Sequence, residues 1–182
     1  KAYCDALGRI WLVTYSSVNL LTFDEQGRIS KVSSYRYQGN MPDVCIRDVE
    51  GNGKPWIGID GGLFRLVEKN GSLVREEVSP LFRSLNGLYI TDMLKRGNVF
   101  WITTNHGLYR YDPYQHKLDH YVHTAIGGTL SHEFLSARAL MPDNTLLVGS
   151  LSGVNVYDEQ TDRFTVWNSA CSHPLQSDFV HC

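Results

Sequence analysis

A unit of about 45 residues recurs along this chain, and that period limits the fold more than any other feature. Trp11-Leu-Val-Thr, Trp56-Ile-Gly-Ile, Trp101-Ile-Thr-Thr and Leu147-Val-Gly-Ser stand 45, 45 and 46 residues apart. Downstream, Gly62-Leu-Phe-Arg-Leu66, Gly107-Leu-Tyr-Arg-Tyr-Asp112 and Gly153-Val-Asn-Val-Tyr-Asp158 align, with Asn19 to Asp24 taking that place in the first copy after a two-residue insertion. Upstream, Leu130 to Ala137 matches Leu175 to Cys182 with every residue shifted by 45, so a fifth copy begins at the end of the sequence. A unit this short cannot bury both of its faces alone and is stable only when stacked on its neighbours.

Within one period the apolar runs are short or alternating and are separated by turn residues, which reads as strands rather than an amphipathic helix. In the third copy, strand A is expected near Tyr89 to Leu94, B near Val99 to Thr103, C near Gly107 to Tyr111 and D near Lys117 to Val122. Gly8, Gly51, Gly53, Gly97 and Pro142-Asp143-Asn144 fall between A and B. Asp24, Asn70-Gly71, Asp112-Pro113 and Asp158 fall between C and D. These residues accept positive φ or bond their own backbone in turns. The expected class is all-β, a β-propeller of four-stranded antiparallel blades around a central channel. The blades would span residues 1–38, 39–84, 85–130 and 131–174, with a fifth starting at 175–182; about four are present, as part of a larger propeller. Residues that recur in every copy belong to this architecture. Trp11, Trp56 and Trp101 pack between blades, Gly62, Gly107 and Gly153 let strand C leave a tight turn, and Phe23, Tyr111 and Tyr157 follow as core aromatics.

Charge excludes some partners. The 17 basic residues nearly cancel the 19 acidic ones, and neither sign forms a run that would neutralise a nucleic-acid backbone or an anionic membrane. No apolar stretch approaches the roughly 20 residues of a membrane span, and no basic start with an apolar core marks a leader. Cys4, Cys45, Cys171 and Cys182 show no C-x-x-C pair and no histidine at ligand spacing, so they read as buried thiols rather than a disulfide framework or zinc site.

The stretch Trp101-Ile-Thr-Thr-Asn-His-Gly-Leu-Tyr-Arg-Tyr-Asp112 resembles the two-component regulator propeller repeat, W-I-G-T, two variable residues, then G-L-x-R-Y-D. Four copies in register, with lead-ins of the L-S-x-x-F type at Leu130 and Leu175, extend the resemblance over the whole chain. Leu147 in place of Trp, Ser17 and Asn19 in place of Gly, and Val67 in place of Asp are its departures. The resemblance implies a fragment of the periplasmic sensor of a hybrid two-component regulator, joined in its parent chain to a β-sandwich, a membrane span and a histidine kinase. Contact with a membrane would run only through those other parts. The resemblance further implies an oligosaccharide ligand from glycan breakdown and a homodimer, with no cofactor.

Residues that differ between copies are the candidates for a site. Tyr15, Asp60 and Asn105-His106 lie in turns between strands B and C; Tyr35-Arg36-Tyr37-Gln38, Arg83, His123, His132 and His173 lie in connections between blades. Aromatic rings and planar polar groups are what sugars are held by, and arginine pairs with any carboxylate or sulfate. Tyr35, Arg36 and Tyr37 form the best such cluster, although alternation also places both tyrosines where they pack on a neighbouring blade. His116, His120 and His123 do not share a face, so no metal site is expected. Asp5, Asp48 and Asp92 read as turn caps rather than a catalytic pair. Three functions stay open: a ligand sensor without chemistry, a protein-interaction scaffold, and a propeller lyase or glycosidase.

Overall fold

A computed structural model describes residues 1–37 and 44–181; Gln38 and Cys182, both used in the reading above, lie outside the described residues. The strands form four four-stranded antiparallel sheets, each a meander of consecutive strands. The first holds β1 (Ala2–Cys4), β2 (Ile10–Val13), β3 (Ser17–Phe23) and β4 (Ile29–Arg36); the second β5 (Cys45–Arg47), β6 (Trp56–Ile59), β7 (Gly62–Lys69) and β8 (Ser72–Glu76). The third holds β9 (Ile90–Arg96), β10 (Val99–Thr104), β11 (Gly107–Asp112) and β12 (Lys117–Tyr121); the fourth β13 (Leu135–Leu140), β14 (Leu146–Ser150), β15 (Gly153–Asp158) and β16 (Arg163–Trp167). The chain divides into two compact units, Lys1–Tyr89 and Ile90–Cys182, with two sheets in each.

Each unit has its own core, built in the same way. In the first, Trp11, Val18 and Leu20 of one sheet pack on Ile46, Ile57, Ile59, Phe64, Leu66 and Leu73 of the next. In the second, Leu94, Trp101 and Leu108 pack on Leu135, Leu146, Val148, Tyr157 and Phe164. The tryptophan that opens strand B is the anchor: Trp11, Trp56 and Trp101 are each 1% exposed. Burying a side chain of that size contributes more than the 1.5–3 kcal/mol or so of a leucine or phenylalanine, which is why a residue of this type recurs in three of the four sheets, with Leu147 at that place in the fourth.

The turns follow their residues. Asp5 takes the backbone N–H groups of Leu7 and Arg9 at 3.0 Å, and Asp48 takes those of Asn52 and Gly53 at 3.0 and 2.8 Å, so both cap the A–B turn. Asp24, Asp112 and Asp158 cap the C–D turns through the N–H groups of Gln26, Tyr114 and Gln160.

Asp92 is not a turn cap: it lies inside β9, where it pairs with Arg138 of β13 at 3.4 Å. The extra two residues of the first copy do not precede strand C. Trp11, Trp56, Trp101 and Leu147 stand opposite Leu20, Arg65, Arg110 and Val156, nine residues on in every copy. The insertion therefore lengthens the far end of β3, and the residue in the place of Tyr111 is Leu21, while Phe23 is 42% exposed. Gly62 does not have the positive φ of Gly107 and Gly153 (92° and 111°), because in that copy Asp60 and Gly61 make the turn one residue earlier, at φ 52° and 64°. Cys45 is buried as expected and Cys171 half-buried, but Cys4 is exposed. The connection after β8 contains a short 3-10 helix, Pro80–Leu85, N-capped by Ser79.

Candidate functional site

A site specific to this chain is to be sought where one sheet departs from the rule the others follow. In the third and fourth sheets the B–C turn is tied to the following connection by the strand C glycine. Gly107 N–H donates to Glu133 O at 2.8 Å and Gly153 N–H to Asp178 O at 2.7 Å. The second sheet reverses this: Gly87 N–H donates to Gly61 O at 2.6 Å. The two backbones approach so closely that a Cβ on Gly61 would lie 3.2 Å from Gly87 Cα. The Asp60-Gly61 turn, the 3-10 helix and Gly87 thereby enclose a cavity of about 490 Å³, with Asp60, Phe64, Arg75, Glu77, Arg83 and Asn86 among its walls.

Its four charged side chains form two ion pairs, Arg75 with Asp60 and Arg83 with Glu77. On β8, Arg75 stands opposite Leu66; at the same place in the other sheets stand Val32 opposite Leu21, Leu118 opposite Tyr111 and Phe164 opposite Tyr157. Where the other three copies carry an apolar side chain, exposed at Val32, half-buried at Leu118 and buried at Phe164, this one carries a guanidinium, and the structure accommodates it by stacking. The group lies 4.3 Å from the ring centroid of Phe64 and 5.3 Å from that of Tyr35. Its Nε–H donates to the Tyr35 hydroxyl and its Nη2 to Asp60 Oδ2, the latter at 2.5 Å. At the rim, Arg83 forms a two-pronged pair with Glu77 at 2.8 and 3.3 Å.

The sequence candidates separate into groups. Asp60 and Arg83 line this cavity. Tyr37 is buried beside it, donating its hydroxyl to Thr14 O; burial, with the Asp60 charge second, pushes its phenol above the usual range. Tyr35 packs on the same core, so alternation sends Arg36 to the opposite face of β4, where it is exposed, and the Tyr35-Arg36-Tyr37 cluster is not a joint site. Tyr15 is exposed on the first B–C turn. In the second unit, His106 Nδ1 lies 2.9 Å from Glu133 Oε2, and His120 stacks on Tyr109 with its Nε2 2.8 Å from His106 O. Asn105 is the neighbouring residue of that turn. His123 and His132 serve the backbone, through Leu130 O at 2.6 Å and Phe134 N at 2.9 Å. Among the described residues no group of three or more His, Cys, Asp or Glu side chains is arranged to hold a metal ion.

Arg75 was not among the sequence candidates. Its signal was a charge at an alternating position that the other copies fill with Val32, Leu118 and Phe164, visible only once strand D is aligned by pairing rather than by its variable turn.

No family model matches the chain and no curated protein matches it. Solved structures do. The extracellular domain of the hybrid two component system BT3049 from B. thetaiotaomicron matches with a TM-score of 0.68 and 19% identity, over 97% of this chain and 23% of that one. That of BT4673 from the same organism matches at 0.63 and 19%, over 94% and 22%. A catalytically inactive virginiamycin B lyase from Staphylococcus aureus matches at 0.59 and 12%, over 93% and 55%. The chain thus spans less than a quarter of the sensor domains it matches. At these identities the likeness establishes the fold, a β-propeller built of four-stranded antiparallel blades.

Proposed function

We propose that this chain is a ligand-sensing segment of the extracytoplasmic, periplasmic part of a hybrid two-component regulator. In this reading it binds an oligosaccharide released in glycan breakdown and passes the event, as a homodimer, to a histidine kinase. The observation that carries the reading is the cavity at Asp60, Arg75 and Asn86, formed where the second blade breaks the pattern of the repeat and furnished with planar hydrogen-bonding groups. The match over nearly the whole chain to two sensor ectodomains supports it. Two further facts favour binding over catalysis: Asp92 is engaged by Arg138, and the carboxylates of the cavity, Asp60 and Glu77, are engaged by Arg75 and Arg83. None is held in the separated environments that an acid and base pair needs.

A thermal-shift screen of the chain against neutral and acidic oligosaccharides tests this. Ligand at about 100 times its dissociation constant adds roughly 2.7 kcal/mol of stability, a shift of several degrees. A shift with one class of glycan is expected; a folded sample that responds to none contradicts the reading.

A further inference from the structure

Resting on the sensing reading, we propose that the cavity of the second blade selects an acidic saccharide, whose carboxylate or sulfate seats on the open edge of Arg75. An arginine carries five N–H donors. Among the described residues, Arg75 uses Nε–H on Tyr35 and one Nη2 donor on Asp60, so three N–H groups remain for a ligand. The side chain is 46% exposed while one face of its guanidinium lies on Phe64. It is therefore reachable from the cavity, yet fixed in place before anything binds.

Fixation matters because an arginine that is already ordered loses little rotamer freedom on gripping an anion. Two planar N–H groups side by side fit the two oxygens of a carboxylate or sulfate in the two-pronged manner that a lone ammonium does not offer. The aromatic platforms on which a neutral sugar would stack are already occupied: Phe64 and Phe82 are buried, and the guanidinium covers Phe64. The open groups at the cavity wall include the free donors of Arg75 and the exposed side chain of Asn86, whose amide can donate as well as accept. Asp60, held on Nη2, opposes the anion with its own charge. That opposition sets the sign of a test: removing its charge should strengthen binding.

The experiment is calorimetric titration of the full chain with three trisaccharides of equal length, one of hexuronate, one neutral and one sulfated but lacking carboxylates. The expected result is binding of the uronate or the sulfated sugar, weakening as salt rises, with the neutral trimer at least tenfold weaker; whichever acidic sugar binds identifies the oxyanion. Arg75→Lys should weaken binding at least tenfold with an unchanged melting temperature. Asp60→Asn, a residue that tolerates the positive φ of that turn, should tighten it severalfold. Equal binding of the neutral trimer overturns the selection for acid while leaving the sensing reading in place. Acidic binding that both variants leave unchanged overturns the assignment to Arg75. Binding of none of the three overturns this inference and counts against the sensing reading.

Discussion

The indole N–H of Trp11 donates to the carboxylate of Asp5 at 2.9 Å, whereas the equivalent nitrogen of Trp101 is buried without a hydrogen-bond partner among the described residues. The two tryptophans occupy the same place in their repeats, and both anchor a core. Replacing either by phenylalanine removes volume, but only Trp11→Phe also strips a buried carboxylate of a donor. Trp11→Phe should cost about 1–2 kcal/mol more than Trp101→Phe, which instead relieves an unsatisfied N–H. Paired chemical denaturation curves check the difference, and equal losses would contradict it.

Acid should act on the same residue. Burial alone would raise the Asp5 carboxyl, but the hydrogen bonds from Arg9 and Trp11, and then the Arg9 charge, outweigh it and hold the group below the usual carboxylate range. Its contribution is present above the unfolded value of about 4 and is lost as pH falls through the lower folded value. Asp5→Asn should flatten the acid limb of a stability profile and leave its slope above about pH 5 unchanged.

Glycine substitutions separate the two kinds of B–C turn. At Gly107, with φ of 92°, an added Cβ would lie 2.3 Å from Tyr121 O; at Gly62 its nearest neighbour would be Asn86 Oδ1 at 3.6 Å. Gly107→Ala should therefore cost more than about 2–3 kcal/mol, and Gly62→Ala should stay within about 1 kcal/mol of the parent. Thermal or denaturant melts of both variants decide it.

At high pH the second unit should give way first. Burial, and then the hydrogen bond to Asp162, raises the Tyr157 phenol to about 12, and the same causes push Tyr121 up still further. Both hydroxyls sit 2.8 Å from Asp162 Oδ1. The stability these groups supply is complete below the unfolded tyrosine value of about 10, and it is lost as pH rises from there through the folded values. Tyr157→Phe should make the alkaline decline shallower by about one proton, measured as the pH slope of unfolding free energy above pH 10.

Much of the architecture could be read from the repeat, and the physical reason is specific. Strand B tryptophans and turn aspartates answer to local rules, so Trp11, Trp56 and Trp101, the caps at Asp5 and Asp48, and the strands of the third copy within a residue or two emerge from spacing alone. What escaped were features fixed by pairing. The end of β3 at which the insertion falls, and the turn that moves its glycine from position 62 to 61, depend on hydrogen-bond register between strands. The site escaped for the same reason: Arg36 and Arg75 look alike in sequence, but alternation turns the first away from the core and carries the second onto Phe64. Asp60 and Arg83, which line the cavity proposed as the site, stand out in the sequence because they lie in segments that vary between copies.

The most direct test of the account is to map where a saccharide binds, by following backbone amide and arginine Nε–H resonances of the chain during titration with the oligosaccharide that gives the largest thermal shift. The account predicts that the Arg75 Nε–H signal moves most, with amides of residues 60–64 and 79–87 moving beside it and those around Gly107 and His106 unaffected. Perturbations that leave Arg75 and the Asp60-Gly61 turn unmoved while another region shifts would contradict it.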